Sequence, residues 1–369
     1  MSRVCAAVTN PQAANATHGG ASVDMTSTSE PDSTGNEWSV ERCAWFGEGA
    51  VEVRGHDGAV RAIVALCGAT LLSWQIRQDG EALELTDGYR DPGELREQSG
   101  VRNGVLAPFP NRVADGRYGF GGQQYDLLPG VVGDRTVYLG FARALPFVLD
   151  SATTTAESAR LVLRSEEIRP GRFDGYPFAL DLTVVYIVEK DQISLEIHAV
   201  NTGDVTVPYA AGWHPYFQLG NDTDGIDDLE LRVSAGTLIG TDRELIPTDG
   251  PGCRIGLDGL PEMDFRGGSP LGRRVIDACY ADLSFGSDGR AETVLRDPKT
   301  GRELRVWQES GFMHVFTGDT LPRDRRRSVA IEPVEAMTNA FNREEFASAL
   351  ALAPGESRRF RCGVRFVAG

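Results

Sequence analysis

At 369 residues the chain is long enough to bury a sizeable core, as one large domain or two ordinary ones. Its formal net charge of -16, from 53 acidic against 37 basic residues, repels phosphate backbones and anionic lipid heads, so neither nucleic acid nor a membrane surface is an expected partner. Lysine occurs only at Lys190 and Lys299, both in turn-like contexts, which leaves Schiff-base chemistry almost without candidates.

From Met1 to about Asn36 the chain is rich in Ser, Thr, Ala, Gly and Asn and ends in "TSTSEPDSTGNE". Such a segment buries too little apolar surface to offset its ordering entropy, so residues 1–38 read as a disordered leader and 39–369 as a single domain. The opening residues hold no apolar run long enough for a signal peptide, and nothing later approaches the length of a membrane span. Cys5, Cys43, Cys67, Cys253, Cys279 and Cys362 lack Cys-x-x-Cys spacing. That argues against a zinc site and fits a reduced, cytoplasmic setting.

After Trp38 the sequence turns to short apolar or alternating runs broken by Gly, Asp and Pro: "AVRAIVALCGATLLSWQI", "ARLVLRSEE", "LDLTVVYIVEKDQISLEIHAVN", "ELRVWQ", "GFMHVFTG" and "RFRCGVRFV". These are strand signals. In "ISLEIHAV", Ile193, Leu195, Ile197 and Ala199 alternate with Ser194, Glu196 and His198, so this run and "LDLTVVYIV" are expected to form a hairpin with one buried face. The best helical candidate is only "REEFASALAL" from Arg343, and no β-unit alternates regularly with a helix. The expected fold class is therefore mainly β, an antiparallel sandwich.

Three stretches depart from strand alternation by setting polar groups beside aromatic residues and proline: "VLAPFPNRVADGRYGFGGQQYDL", "AGWHPYF" and "VAIEPVEAMTNAFN". Arg112 follows Pro-Asn, where a rigid turn can fix a guanidinium to clamp ligand oxygens; a structural ion pair is the competing reading. Trp213 and Tyr216 offer flat apolar faces beside His214, which exchanges a proton near neutral pH. A pyranose, with apolar C–H faces and a polar rim, needs that mixture, although a histidine beside aromatics also fits an ordinary core. Glu332 ends an apolar strand before Pro333, where poor solvation would raise its pKa toward that of a useful base; pairing with the nearby "RDRRRS" is the alternative.

Together these stretches resemble the aldose 1-epimerases, the galactose mutarotases. The matched pieces are "LAPFPNRVADGRYGFGGQQYDL", "AGWHPYFQLG", "ELIPTDG", "LGRRVIDACYADL" and "VAIEPVEAMTNAFN", in family order from roughly residue 45 to the C-terminus. The resemblance implies a β-supersandwich that opens and closes a hexose ring, exchanging α and β anomers with no metal or organic cofactor, as a monomer or homodimer. It implies Glu332 as general base, His214 as general acid, and Arg112 and Asp277 as substrate-binding residues; Asn111 beside Arg112, and Trp213 and Tyr216 through their flat faces, are further candidates for contact with the sugar.

The match departs from the family at Leu139, where a second histidine normally precedes the glycine that is Gly140 here. Leucine can neither donate nor accept a hydrogen bond. Tyr138 and His314 are the available substitutes, with packing expected for the first and strand core for the second. Glu335 adds a carboxylate near Glu332 which, if close, would raise the pKa of one of the pair. "GFAR" at Gly140 to Arg143 resembles the hexose-6-phosphate 1-epimerase branch. Three further readings follow: a sugar-binding protein without mutarotation, recruitment to a non-sugar metabolite, and a phosphorylated hexose as substrate.

Overall fold

The computed structural model describes residues 38–55, 58–220, 225–248 and 250–369. The leader expected over residues 1–38 lies outside them except for Trp38, which corrects that boundary. Trp38 opens the strand Trp38–Trp45 and is buried, its indole lying against Gly55 so closely that a Cβ there would collide with the ring. Trp38 therefore belongs to the fold.

Strand accounts for 48% of the structure and helix for 10%, which makes the fold mainly β, as the alternating runs predict. The expected hairpin is present: Leu180–Glu189 pairs antiparallel with Gln192–Asn201 through the turn at Lys190 and Asp191, in a register that sets Val188 opposite Ile193. Ile193, Leu195, Ile197 and Ala199 all face the main core. The helical candidate near Arg343 is shorter than its sequence suggests, a 3-10 turn Glu344–Phe346 followed by the single helical turn Ala347–Leu350.

The hairpin belongs to a nine-stranded antiparallel sheet, and the chain from Trp38 to Glu84 forms a five-stranded meander. An eight-stranded sheet carries the chemistry-bearing residues. Five of its strands run in the spatial order Asp277–Leu283, Phe312–Phe316, Val329–Val334, Gly212–His214 and, at the edge, Gly104–Leu106.

Side chains alternate across this sheet because successive Cβ atoms point to opposite faces. Ala278, Tyr280, Met313, Val315, Val329, Ile331 and Trp213 join the main core. Asp277, Cys279, Phe312, His314, Phe316, Glu332, Val334 and His214 are left to the other face. The period of two thus decides which half of each strand is core and which half is available for function.

Candidate active site

A polar row crosses that second face. His314 and Glu332 are direct register partners on neighbouring antiparallel strands. His214 follows on the next strand, its Nε2 3.3 Å from Glu332 Oε1. On the other side, His314 Nε2 donates to Asp277 Oδ1 at 2.7 Å. Arg112 Nη2 stands 3.5 Å from Asp277 Oδ2. Four of the residues singled out from separate stretches of sequence, Arg112, His214, Asp277 and Glu332, therefore meet, together with His314.

The row has a floor and a rim. The side chains of His214 and Glu332 are 7% and 2% exposed, whereas those of Arg112 and Asp277 are 23% and 26% exposed. Apolar residues flank the floor on both sides: Phe316, Ala330 and Leu321 in one cluster, and Leu106, Leu139, Cys279, Phe312, Val334 and Met337 in another. Low-dielectric walls of this kind strengthen every electrostatic interaction between them.

Burial drives Glu332 and His214 toward their neutral forms. Desolvation lifts Glu332 to about 8, with the His314 charge pulling the other way. Desolvation likewise pushes His214 down to about 3, helped by the like charge of His314. For His314 burial acts downward too, but the carboxylates of Glu332 and Asp277 outweigh it and hold the imidazole protonated up to about 10. Burial would raise Asp277, yet its bond to His314 and the nearby Arg112 keep it below the usual aspartate range. Near neutral pH the floor thus contains an imidazolium between the Asp277 carboxylate and the carboxylic acid of Glu332. Glu332 Oε2 is buried and has no hydrogen-bond partner among the described residues.

The loop that carries Arg112 is held from the third stretch of sequence. Asn339, in a left-handed conformation, donates its backbone N–H to the Arg112 carbonyl at 2.8 Å, and its Oδ1 accepts from the Ala114 N–H at 3.0 Å. Asn111 works on the same loop: its Oδ1 accepts from the Arg112 N–H at 2.8 Å and its carbonyl from the Leu139 N–H at 3.2 Å. Asn111 is buried, and its side-chain oxygen is spent on shaping the turn.

Two aromatic expectations are corrected. Trp213 cannot offer a face to a ligand, because alternation turns it away from its neighbour His214 into the main core, where it is 0% exposed and donates to the Asn103 carbonyl. Tyr216 lies on the side of His214 but is also buried. One neighbour of its ring is the His214 imidazole, stacked at 5.0 Å between centroids, and another is the Arg102 guanidinium, 5.2 Å from the centroid. Tyr216 therefore supports His214. Asn103 contributes as well, its N–H donating to the His214 carbonyl and its Oδ1 accepting from the Tyr216 N–H.

The remaining expectations divide. His314 is not strand core: its Nε2 is committed to Asp277, a role that strand alternation alone cannot reveal because the register to neighbouring strands is invisible in sequence. Leu139 does pack apolar, with Tyr138 against the same cluster, and it does so at φ 66°, a left-handed conformation unusual for leucine. Gly140 beside it is also left-handed, and a Cβ there would strike the Ala107 carbonyl. Glu335 points away from Glu332; its carboxylate accepts from the Ala211 N–H at 2.9 Å and faces Arg358, so burial and not a neighbouring carboxylate raises its pKa. Arg143 is half-buried and packs beside Gly104, the register partner of His214. Among the described residues no cluster of His, Cys, Asp and Glu has metal-holding geometry, and no helix is long and apolar enough to cross a membrane.

Comparison with known proteins places this arrangement. Over 306 residues, 78% of this chain and 86% of the other, the sequence is 24% identical to galactose mutarotase of Mus musculus. It is 27% identical to the uncharacterized protein YihR of Escherichia coli over 240 residues, 64% of this chain and 71% of that one. In fold it is similar to a galactose mutarotase-like protein from Clostridium acetobutylicum, with a TM-score of 0.75 at 14% identity over 90% of this chain and 99% of that one. It is similar also to galactose 1-epimerase from Lactobacillus acidophilus, with a TM-score of 0.74 at 17% identity over 90% and 99% of the two chains. These likenesses identify the antiparallel supersandwich as the galactose mutarotase type. The aldose 1-epimerase family profile matches residues 52–365, nearly all of the described chain, and the protein belongs to that family.

Proposed function

We propose that the protein interconverts the α and β anomers of a free aldohexose by general acid and base catalysis on the face that carries His214 and Glu332. The observation that carries this reading is the buried, unpartnered Glu332 Oε2, on a carboxyl whose other oxygen is in contact with an imidazole. A buried acceptor without a partner costs free energy, and a sugar hydroxyl is the group that would satisfy it.

Glu332 and His214 hold one proton between them near neutral pH, since burial favours the carboxylic acid and the neutral imidazole over the ion pair. Moving that proton to His214 creates the reactive form, a carboxylate beside an imidazolium. Glu332 then takes the proton from the anomeric hydroxyl as the bond from C1 to the ring oxygen breaks, and His214 protonates the ring oxygen. The products are an open-chain aldehyde, a carboxylic acid and a neutral imidazole, so atoms and charge balance. Rotation about C1–C2 and the reverse steps close the ring on its other face. Each positioned group contributes about 10²- to 10⁴-fold. Arg112 and Asp277, at the rim, grip the hydroxyls away from C1 and leave C1 free to turn.

The test is polarimetry and saturation-transfer NMR on freshly dissolved α-glucose and α-galactose, with glucose 6-phosphate in parallel because Arg143 lies next to the strand that carries His214. Acceleration over buffer supports the reading. Calorimetric binding of these sugars with anomer exchange at the buffer rate would replace it with a sugar-binding role. Neither binding nor exchange would point to a non-sugar metabolite.

A further inference from the structure

His314 has no role in the proton transfers just described, yet it sits at the centre of the row. Asp277 and Cys279 face it from one neighbouring strand, Glu332 from the other. His214 lies beyond Glu332, and Arg112 beyond Asp277. Its own strand adds only Phe312 and Phe316 on this face. The imidazole donates to Asp277 at 2.7 Å and is almost wholly enclosed. A buried imidazole bonded to the Asp277 carboxylate holds its proton, because leaving that carboxylate unpaired would be the costlier alternative.

We propose that His314 is a positioning residue whose fixed positive charge favours the carboxylate form of Glu332, and so drives the shared proton onto His214, while its N–H locks Asp277 toward the rim. This rests on the acid and base roles proposed above but adds a residue that touches no reacting atom. The direction follows from Coulomb's law and the strand order: His314 pairs directly with Glu332 while His214 lies one strand further, so its charge stabilises the carboxylate more than it opposes the imidazolium, and the shared proton is easier to lose. Its protonation outlasts that of Glu332, which titrates at about 8 against about 10 for His314, so the charge is present throughout the working range.

The test compares wild-type full-length protein with His314→Gln, which keeps a donor for Asp277 and removes the charge. The expected result is that kcat/KM for anomer exchange at neutral pH falls about tenfold, and that the alkaline limb of its pH profile moves up by about one unit or more. A merely structural role would lower the rate and leave the limb in place, and that outcome overturns the proposal. Should the variant fail to fold, 15N-histidine NMR of the wild type decides alone: His314 is expected as an imidazolium bonded to a carboxylate at pH 8, and a neutral ring at pH 7 overturns the assignment. Wild-type protein inert on every sugar while its His314 remains an imidazolium would sink the epimerase reading and leave the charge assignment standing.

Discussion

Glu332 Oε1 and His214 Nε2 stand 3.3 Å apart on neighbouring strands, beneath a rim formed by Arg112 and Asp277. Groups this close do not titrate independently, so Glu332 and His214 behave as one unit with a common proton.

Loss of either member should therefore cost nearly as much as loss of both. Glu332→Gln and His214→Asn are each expected to lower kcat by about 10²- to 10⁴-fold with the fold retained, and the double variant to be little worse than the singles. Polarimetry with circular dichroism on the same samples checks this. Additive losses would mean that the two residues act separately.

Under the proposed function the unit is reactive while it holds one proton. Activity is expected to be lost through about pH 8 on the alkaline side, where burial has set Glu332, and toward about pH 3 on the acid side, where His214 takes a second proton. Saturation-transfer rates corrected for buffer catalysis, measured across this window, would contradict the shared-proton account if they continued to climb well above pH 8.

His214 also makes stability depend on pH. Its folded-state pKa of about 3 lies below its ordinary value of 6.5, so the unfolded chain binds more protons between these limits. Its contribution is present above about pH 6.5 and is lost as pH falls toward 3. The Tm of His214→Asn relative to wild type is expected to rise as pH is lowered from 7 to 4. A constant difference across that range would mean that the imidazole is already charged in the folded protein.

Trp213 distinguishes packing from recognition. Trp213→Leu removes a fully buried indole from the main core and is expected to cost roughly 2 to 4 kcal/mol of stability, with KM for sugar nearly unchanged at temperatures where the variant stays folded. Urea unfolding and steady-state kinetics report the two effects separately. A large rise in KM with unaltered stability would return the indole to the ligand side.

How much of this is legible in the sequence depends on whether a residue's job is local. The hairpin around Lys190 and Asp191 follows from period-two alternation and a turn, both readable within about twenty residues. Glu332 and His214 stand out because each breaks an apolar pattern beside proline. Trp213 misleads for the same reason: proximity in sequence to His214 suggests a shared face, while strand geometry assigns adjacent residues to opposite ones. Tyr216, two residues on, does share the face of His214, but its ring supports the imidazole instead of meeting solvent.

The sequence by itself determined the antiparallel β architecture and the family, and pointed to Arg112, His214, Asp277 and Glu332 as candidate site residues, because alternation, composition and ordered motifs are properties of the chain read along its length. Only the tertiary structure decided that His314 stands between Glu332 and Asp277, that Glu335 turns to Ala211 and Arg358, and that Asn339 holds the Arg112 loop. Those relationships depend on strand register and on contacts between segments far apart in the chain. They set the charge of the site through distance and burial, which no single stretch of sequence contains.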